Sequence, residues 1–345
     1  MEAALVVVIV AVALAFAWTN GVHDASNAIA TSVSTRALTP RAALVMAAVM
    51  NVVGALLGTS VAETIATRIV TLAPPGAEPG TVPEGMAGAA LVVVLAALVG
   101  AIGWNLLTWR LGMPSSSSYA LIGGLVGAGL AGAYAIQWGE VMDRVVWPLL
   151  LSPVIGFTLA FVLMTALLWA IRGARPAPTT RRFRAAQTVS AAAMALGHGL
   201  QDAQKTMGVI LLALLTVGWA APGSSVPLWV KLCSAAAISL GTYAGGWRII
   251  RTLGRRLIHL DPARGFVAES VAASVLYVAA MGLHAPVSTT QTITSAIAGT
   301  GATRGLAAVR WGVLRSIALT WAATIPAAGL LGALAFWLLR AVLPV

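Results

Sequence analysis

Apolar residues fill this chain in long blocks, interrupted by short stretches where Arg, Pro, Gly and acidic residues collect. Ten such segments can be read, roughly 3–35, 42–62, 87–109, 114–134, 145–171, 186–217, 226–247, 265–283, 286–302 and 308–340. Most have close to the ~20 residues with which a helix crosses a bilayer. Segments 3–35 and 186–217 are longer and carry polar residues in mid-segment, which predicts that both are broken or hairpinned. The pattern predicts an all-α polytopic membrane protein with discontinuous, re-entrant half-helices and about 10–12 membrane segments.

The polar interruptions are themselves repeated. Gly21 to Ala28 reads Gly-Val-His-Asp-Ala-Ser-Asn-Ala, and Gly199 to Thr206 reads Gly-Leu-Gln-Asp-Ala-Gln-Lys-Thr, so one Gly-x-x-Asp-Ala pattern occurs in each half. An ionised Asp at bilayer depth costs roughly 3 kcal/mol on insertion scales, so a matched pair, Asp24 and Asp202, signals function. A second pair joins Met113 to Ser118 (Met-Pro-Ser-Ser-Ser-Ser) with Ala285 to Thr290 (Ala-Pro-Val-Ser-Thr-Thr). Each reads as a helix N-terminus, with Pro114 or Pro286 at the first helical position and hydroxyls free to cap N–H groups. Two such termini aimed at one point would form an oxyanion site from Ser115, Ser116, Ser117, Ser118, Ser288, Thr289 and Thr290.

A basic linker, 172–185, holding Pro176 and Pro178, separates residues 1–171 from 186–345. Each side has five segments. An odd number makes the second set start on the opposite face, which is an inverted-topology repeat of the kind that builds one substrate site near the membrane midplane.

Composition narrows the class. At 59% hydrophobic and 9% charged residues, the chain has too little polar surface for a soluble globule of 345 residues. Met1 to Ala3 contains no basic residue, so the first segment reads as a retained span and not a cleaved leader. The lone Cys233 excludes an intrachain disulfide, and no Cys/His grouping has metal spacing, so neither a metal site nor a cofactor is expected. A net charge of +11 raises nucleic acid as a partner, but the distribution argues otherwise. Sixteen of the 21 basic residues fall in alternate loops, around Arg36/Arg41, Arg110, Arg172 to Arg184, Arg248 to Arg264 and Arg304 to Arg315. The opposite face carries Glu2, Glu63, Glu78, Glu84, Glu140 and Asp143 with few cations, Arg68 and Arg144 among them. By the positive-inside rule the basic loops are cytoplasmic, and both termini lie outside a cytoplasmic membrane.

Carboxylates beside an anion need a role: binding a coupling cation, carrying a coupling proton, or accepting a hydrogen bond from a protonated oxyanion. The third would favour phosphate, which keeps an O–H near neutral pH, over sulfate, which has none. Lys205 occupies, relative to Asp202, the place that Asn27 occupies relative to Asp24, and could neutralise Asp202, touch the substrate or replace a cation. Glu269 has no first-half equivalent, since Ala89 stands there. His23 and His198 flank the motifs as titratable groups, and Asn20, Asn51 and Asn105 are candidate ligands or interhelical bonds.

The segments Asn20 to Pro40 and Gly197 to Ile210, with the Pro114 and Pro286 motifs, together resemble the inorganic phosphate transporter (PiT) family over nearly the whole chain. The resemblance implies an inverted-repeat carrier that symports phosphate with a proton or sodium ion, in some members as a neutral metal–phosphate complex, and often as a homodimer. It assigns Asp24, Asn27 and Asp202 to the site, with Ser116, Ser117, Ser288, Thr289 and Thr290 at the substrate. Sodium-coupled relatives carry Gly-x-Asn-Asp-x-x-Asn twice, whereas here His23 precedes Asp24, Gln201 precedes Asp202 and Lys205 replaces the second Asn. A fixed ammonium favours proton coupling, with Asp24, Asp202, Asn51, Glu269, His23 and His198 as candidate ion or proton groups. A sulfate carrier of the same family is the nearest alternative. A membrane-embedded polyprenyl-diphosphate phosphatase would need an Arg clamp that neither hydroxyl motif contains, and no enzymatic activity is expected.

Overall fold

The computed structural model describes residues 1–72, 82, 86–245, 249–250 and 252–343. Glu78, Glu84, Arg248 and Arg251, which entered the charge pattern, lie outside the described residues. In chain order the helices are α1 (Glu2–Ser34), α2 (Pro40–Leu56), α3 (Ser60–Arg68), α4 (Ala87–Leu111), α5 (Ser117–Ala131), α6 (Trp138–Ala170), α7 (Pro176–Thr216), α8 (Leu228–Ala244), α9 (Pro262–Gly282), α10 (Thr289–Ala302) and α11 (Trp311–Val342). Two short strands, β1 (Val70–Thr71) and β2 (Ala135–Ile136), pair antiparallel beside α3 and α5.

Among the described residues five helices, α1, α4, α6, α9 and α11, are long and apolar enough to cross a membrane, six spans if α2 and α3 count as one broken span. That pair bends by 66° across a short break, and α5 and α8 are shorter apolar helices. Discontinuity is therefore present, but not where the sequence placed it. Segments 3–35 and 186–217 are each helical up to their last residue, which is the C-cap of α1 (33 residues) or of α7 (41 residues). The polar residues in mid-helix find partners on neighbouring helices, so the backbone ladder has no reason to open. Most of the basic linker is also helical, because α7 starts at Pro176.

The two hydroxyl motifs do start helices, with one correction. Ser116 is the N-cap of α5 and accepts from Tyr119 N at 3.4 Å, and Ser288 is the N-cap of α10 and accepts from Gln291 N at 3.2 Å. Pro114 and Pro286 lie two residues before these caps, in the approach, and not at the first helical position. A Ser side chain satisfies an orphan N–H directly, which Pro cannot do.

The glycine of each Asp-containing motif sits where helices touch. A Cβ on Gly21 would lie 2.3 Å from Ile238 O of α8, and one on Gly199 would lie 2.3 Å from Asn51 O of α2. Neither contact tolerates a side chain. These crossings bring α1 and α7, with their carboxylates, against the elements that complete the site.

Candidate functional site

Asp24 is buried at the point where three elements meet. Its Oδ2 accepts from the Ser117 hydroxyl at 3.0 Å, its Oδ1 accepts from the Thr290 hydroxyl at 3.2 Å, and the preceding residue, His23, places Nδ1 2.8 Å from Oδ1. Ser117 is the first residue of α5 and Thr290 the second of α10. The N-terminal ends of two short helices thus converge on one carboxylate of α1. Asn27, one turn on from Asp24, donates to Thr290 at 2.7 Å and to Thr289 at 3.4 Å. The far edge of the His23 ring faces Ser115 at 3.3 Å and Thr108 at 3.4 Å, and those two hydroxyls are themselves 2.9 Å apart.

The α7 copy of the motif completes the cluster. Lys205 Nζ donates to Ser117 Oγ at 2.7 Å and lies 2.8 Å from Asp202 Oδ1. His198 Nε2 stands 3.0 Å from Asp202 Oδ2, and Asn20 Nδ2 approaches the same oxygen at 3.5 Å. His198 Nδ1 in turn faces Asn51 Oδ1 at 3.0 Å, while Asn51 donates to Thr242 at 2.8 Å. A continuous polar chain therefore runs Thr242, Asn51, His198, Asp202, Lys205, Ser117, Asp24, Thr290, Asn27. Every member is at most 1% exposed. Side-chain acceptors remain free in and beside it: Asn27 Oδ1, and Asn20 Oδ1 next to Asp202, are buried without a hydrogen-bond donor.

With neutral histidines the core of this cluster holds two carboxylates against one ammonium, a net single negative charge in a desolvated setting. Asp24, His198 and Asp202 offer ligand atoms that all lie within 4.8 Å of one another, close enough to share a cation. Lys205 already answers Asp202, and its ammonium repels a metal or sodium ion there.

Of the other residues singled out in the sequence, Ser118 donates to Val287 O at 3.3 Å, and Ser116 and Ser288 spend their side chains on capping. Glu269 stands apart from the Asp24 cluster. Fully buried on α9, it accepts from Ser190 at 2.5 Å, from Gln187 at 3.3 Å and, in a very short contact, from Thr31. Thr35 donates to Gln187 Oε1 at 2.7 Å, which turns the amide N–H₂ toward the carboxylate. All of its partners are neutral. Thr31 is one helical turn from Asn27, and Gln187 and Ser190 lie on α7 with His198, Asp202 and Lys205, so α1 and α7 both run from one cluster to the other.

The profile described as the phosphate transporter family matches residues 20–332. The chain belongs to this family. Among its relatives, a protein of Rhizobium meliloti (strain 1021) named probable low-affinity inorganic phosphate transporter is 46% identical, with 96% of each chain covered. A protein of the same name from Bacillus subtilis (strain 168) is 42% identical, with 97% of each covered. A solved structure, a sodium-dependent phosphate transporter, shares the fold with a TM-score of 0.85, covering 99% of this chain and all of its own at 22% identity. Membership makes the chain a multi-pass membrane transporter and not an enzyme, which sets aside the lipid phosphatase reading.

Within this phosphate transporter family member, several site-forming residues carried no sequence signal of their own. Gln204 accepts from the backbone N–H of Val61 at 2.8 Å and of Ala62 at 3.2 Å, and so caps the first turn of α3 from beside Lys205. Thr108, Thr242, Thr31, Gln187 and Ser190 are equally ordinary in sequence. Their buried neighbours are what give them a role. Polar residues on one face of α7, Gln187 and Ser190 and then, two turns on, His198, Asp202 and Lys205, are a pattern that could have pointed to two of them.

Proposed function

We propose that this protein imports inorganic phosphate across the cytoplasmic membrane by symport with a cation, the proton favoured over sodium, the anion moving free or as a metal complex. The convergence of Ser117 and Thr290 on Asp24, at the N-terminal ends of α5 and α10, carries the reading. Helix N-termini and hydroxyls attract an oxyanion, Lys205 adds the one fixed positive charge, and Asp24 accepts the hydrogen bond that only a protonated oxyanion gives. That last feature supports phosphate over sulfate. Substrate contacts fall to Asp24, Asn27, Ser117, Lys205, Thr289 and Thr290, with Asp202 anchoring Lys205.

Coupling follows from charge. With neutral histidines the cluster has two carboxylates against one ammonium, and an anion is better accommodated there when positive charge enters with it, which supports symport. Lys205 stands against sodium at Asp202, and His23, His198, Asp24 and Glu269 are groups able to carry a proton. The architecture is read as two inverted repeats, 1–171 and 186–345, around the linker 172–185, with basic loops inside, both termini outside, and two copies per assembly. Purified protein in liposomes, given labelled phosphate under separately imposed proton and sodium gradients, tests the proposal: uptake driven by an inward proton gradient without sodium supports it, and uptake that requires sodium overturns the coupling.

A further inference from the structure

A cavity of about 370 Å³ lies away from the Asp24 cluster, with Ser60, Glu63, Thr64, Thr67 and Arg68 of α3, Arg144 of α6 and His284 in its polar lining and Leu211 and Leu215 of α7 beside them. The helices around it, α3 beyond α2, α6, α7 and α9, reach it by the ends opposite their basic loops. Two guanidinium groups share one carboxylate there: Arg68 Nη1 is 3.1 Å from Glu140 Oε1, and Arg144 Nε is 3.4 Å from Glu140 Oε2. Counting Glu63 on the same wall, the two cations are balanced by two carboxylates, and what the lining offers an anion is the multiple N–H groups of each guanidinium, of which Glu140 and Leu283 O occupy only some. Glu63 on the wall is held by the Thr59 hydroxyl at 2.9 Å.

The cavity also abuts the segment that leads to α10. Arg144 Nη1 donates to Leu283 O at 3.0 Å, Thr64 donates to His284 O at 3.0 Å, and His284 has φ of 51°, a left-handed backbone uncommon for a non-glycine residue. Four residues further on stands Ser288, the cap of α10. On the other side, α3 is capped by Gln204, next to Lys205.

We infer that this cavity is an outer vestibule that captures the oxyanion on Arg68 and Arg144 before it passes to the Asp24 cluster. The inference rests on the phosphate-import reading and adds a binding site to it. A guanidinium pair is well matched to phosphate oxygens, and a half-exposed one binds weakly enough to release its ligand inward. Glu140 competes with the anion for the same N–H groups.

The test is the initial rate of labelled phosphate uptake in proteoliposomes, read as KM and Vmax. R68Q and R144Q should each raise KM roughly three- to tenfold with Vmax retained. R68K and R144K should restore part of the loss, and E140Q should lower KM. The wild-type KM should also rise with ionic strength more steeply than that of the R68Q/R144Q double variant. An unchanged KM in the Gln variants overturns the vestibule, as does a shift of E140Q in the same direction as R68Q, which would mean the ion pair is only structural. A wild-type protein that takes up no phosphate under any gradient overturns the import reading itself, a result distinct from an unaltered KM.

Discussion

The Lys205 ammonium lies 2.7 Å from the Ser117 hydroxyl, joining α7 to the first residue of α5 across 88 positions of sequence. Ser117 in turn donates to Asp24, so a single hydroxyl links the carboxylate of one motif copy to the cation of the other. Both aspartate motifs and the start of α5 meet at that atom.

Replacing Lys205 by Asn should remove the fixed charge that answers Asp202 and leave the buried carboxylate with His198 and Asn20 alone beside it. Breaking such a pair by one partner costs about 3–5 kcal/mol unless a cation enters. The expected outcome is a variant whose uptake is impaired in sodium-free buffer and stimulated by sodium. Sodium-independent uptake at the wild-type rate would reduce Lys205 to a structural partner.

Asp24→Asn and Asp202→Asn should each abolish phosphate uptake while the protein still inserts and purifies as the wild type does. In Asp24→Asn the amide can no longer accept from both Ser117 and Thr290 as an anion does. Normal transport by either variant would remove that residue from the site.

Ser117→Ala and Thr290→Ala should weaken phosphate binding by about 1–3 kcal/mol each, the range for a buried partner left without its hydrogen bond. Titration calorimetry on purified protein reads this directly. Ser118→Ala, whose hydroxyl bonds to Val287 O, should bind phosphate more nearly as the wild type does.

Glu269→Gln should separate binding from coupling. The Glu269 cluster is joined to the Asp24 cluster through the backbones of α1 and α7 and not through a side chain common to both, so phosphate affinity should persist while uptake driven by an imposed ion gradient falls. Loss of both together would place Glu269 in the substrate site.

Gly199→Ala should destabilise the fold by about 1–3 kcal/mol or more, because its Cβ would press on a backbone carbonyl and not on a yielding side chain. Gly312→Ala meets nothing within 4 Å and should leave the melting temperature in detergent unchanged or slightly higher. Equal behaviour of the two variants would contradict the close α2–α7 crossing.

The sequence by itself determined the apolar segments, both pairs of repeated motifs and that a helix starts at each hydroxyl motif, though it set the starts at Pro114 and Pro286 and the structure sets them at Ser117 and Thr289. Each of these depends on chemistry within a few residues: an Asp in an apolar block is conspicuous wherever the block packs, and a Ser before a helix caps it in any context. Tertiary structure decided the rest. That α1 and α7 run unbroken past Asp24 and Asp202 depends on partners drawn from α2, α5, α8 and α10, which no local period encodes. The same holds for Thr290 reaching Asp24 across 266 positions and for Glu269 standing with Thr31 and Ser190 instead of with the paired aspartates. A hydroxyl or amide acquires its role from the buried group it faces, and only the packing of helices distant in sequence fixes which group that is.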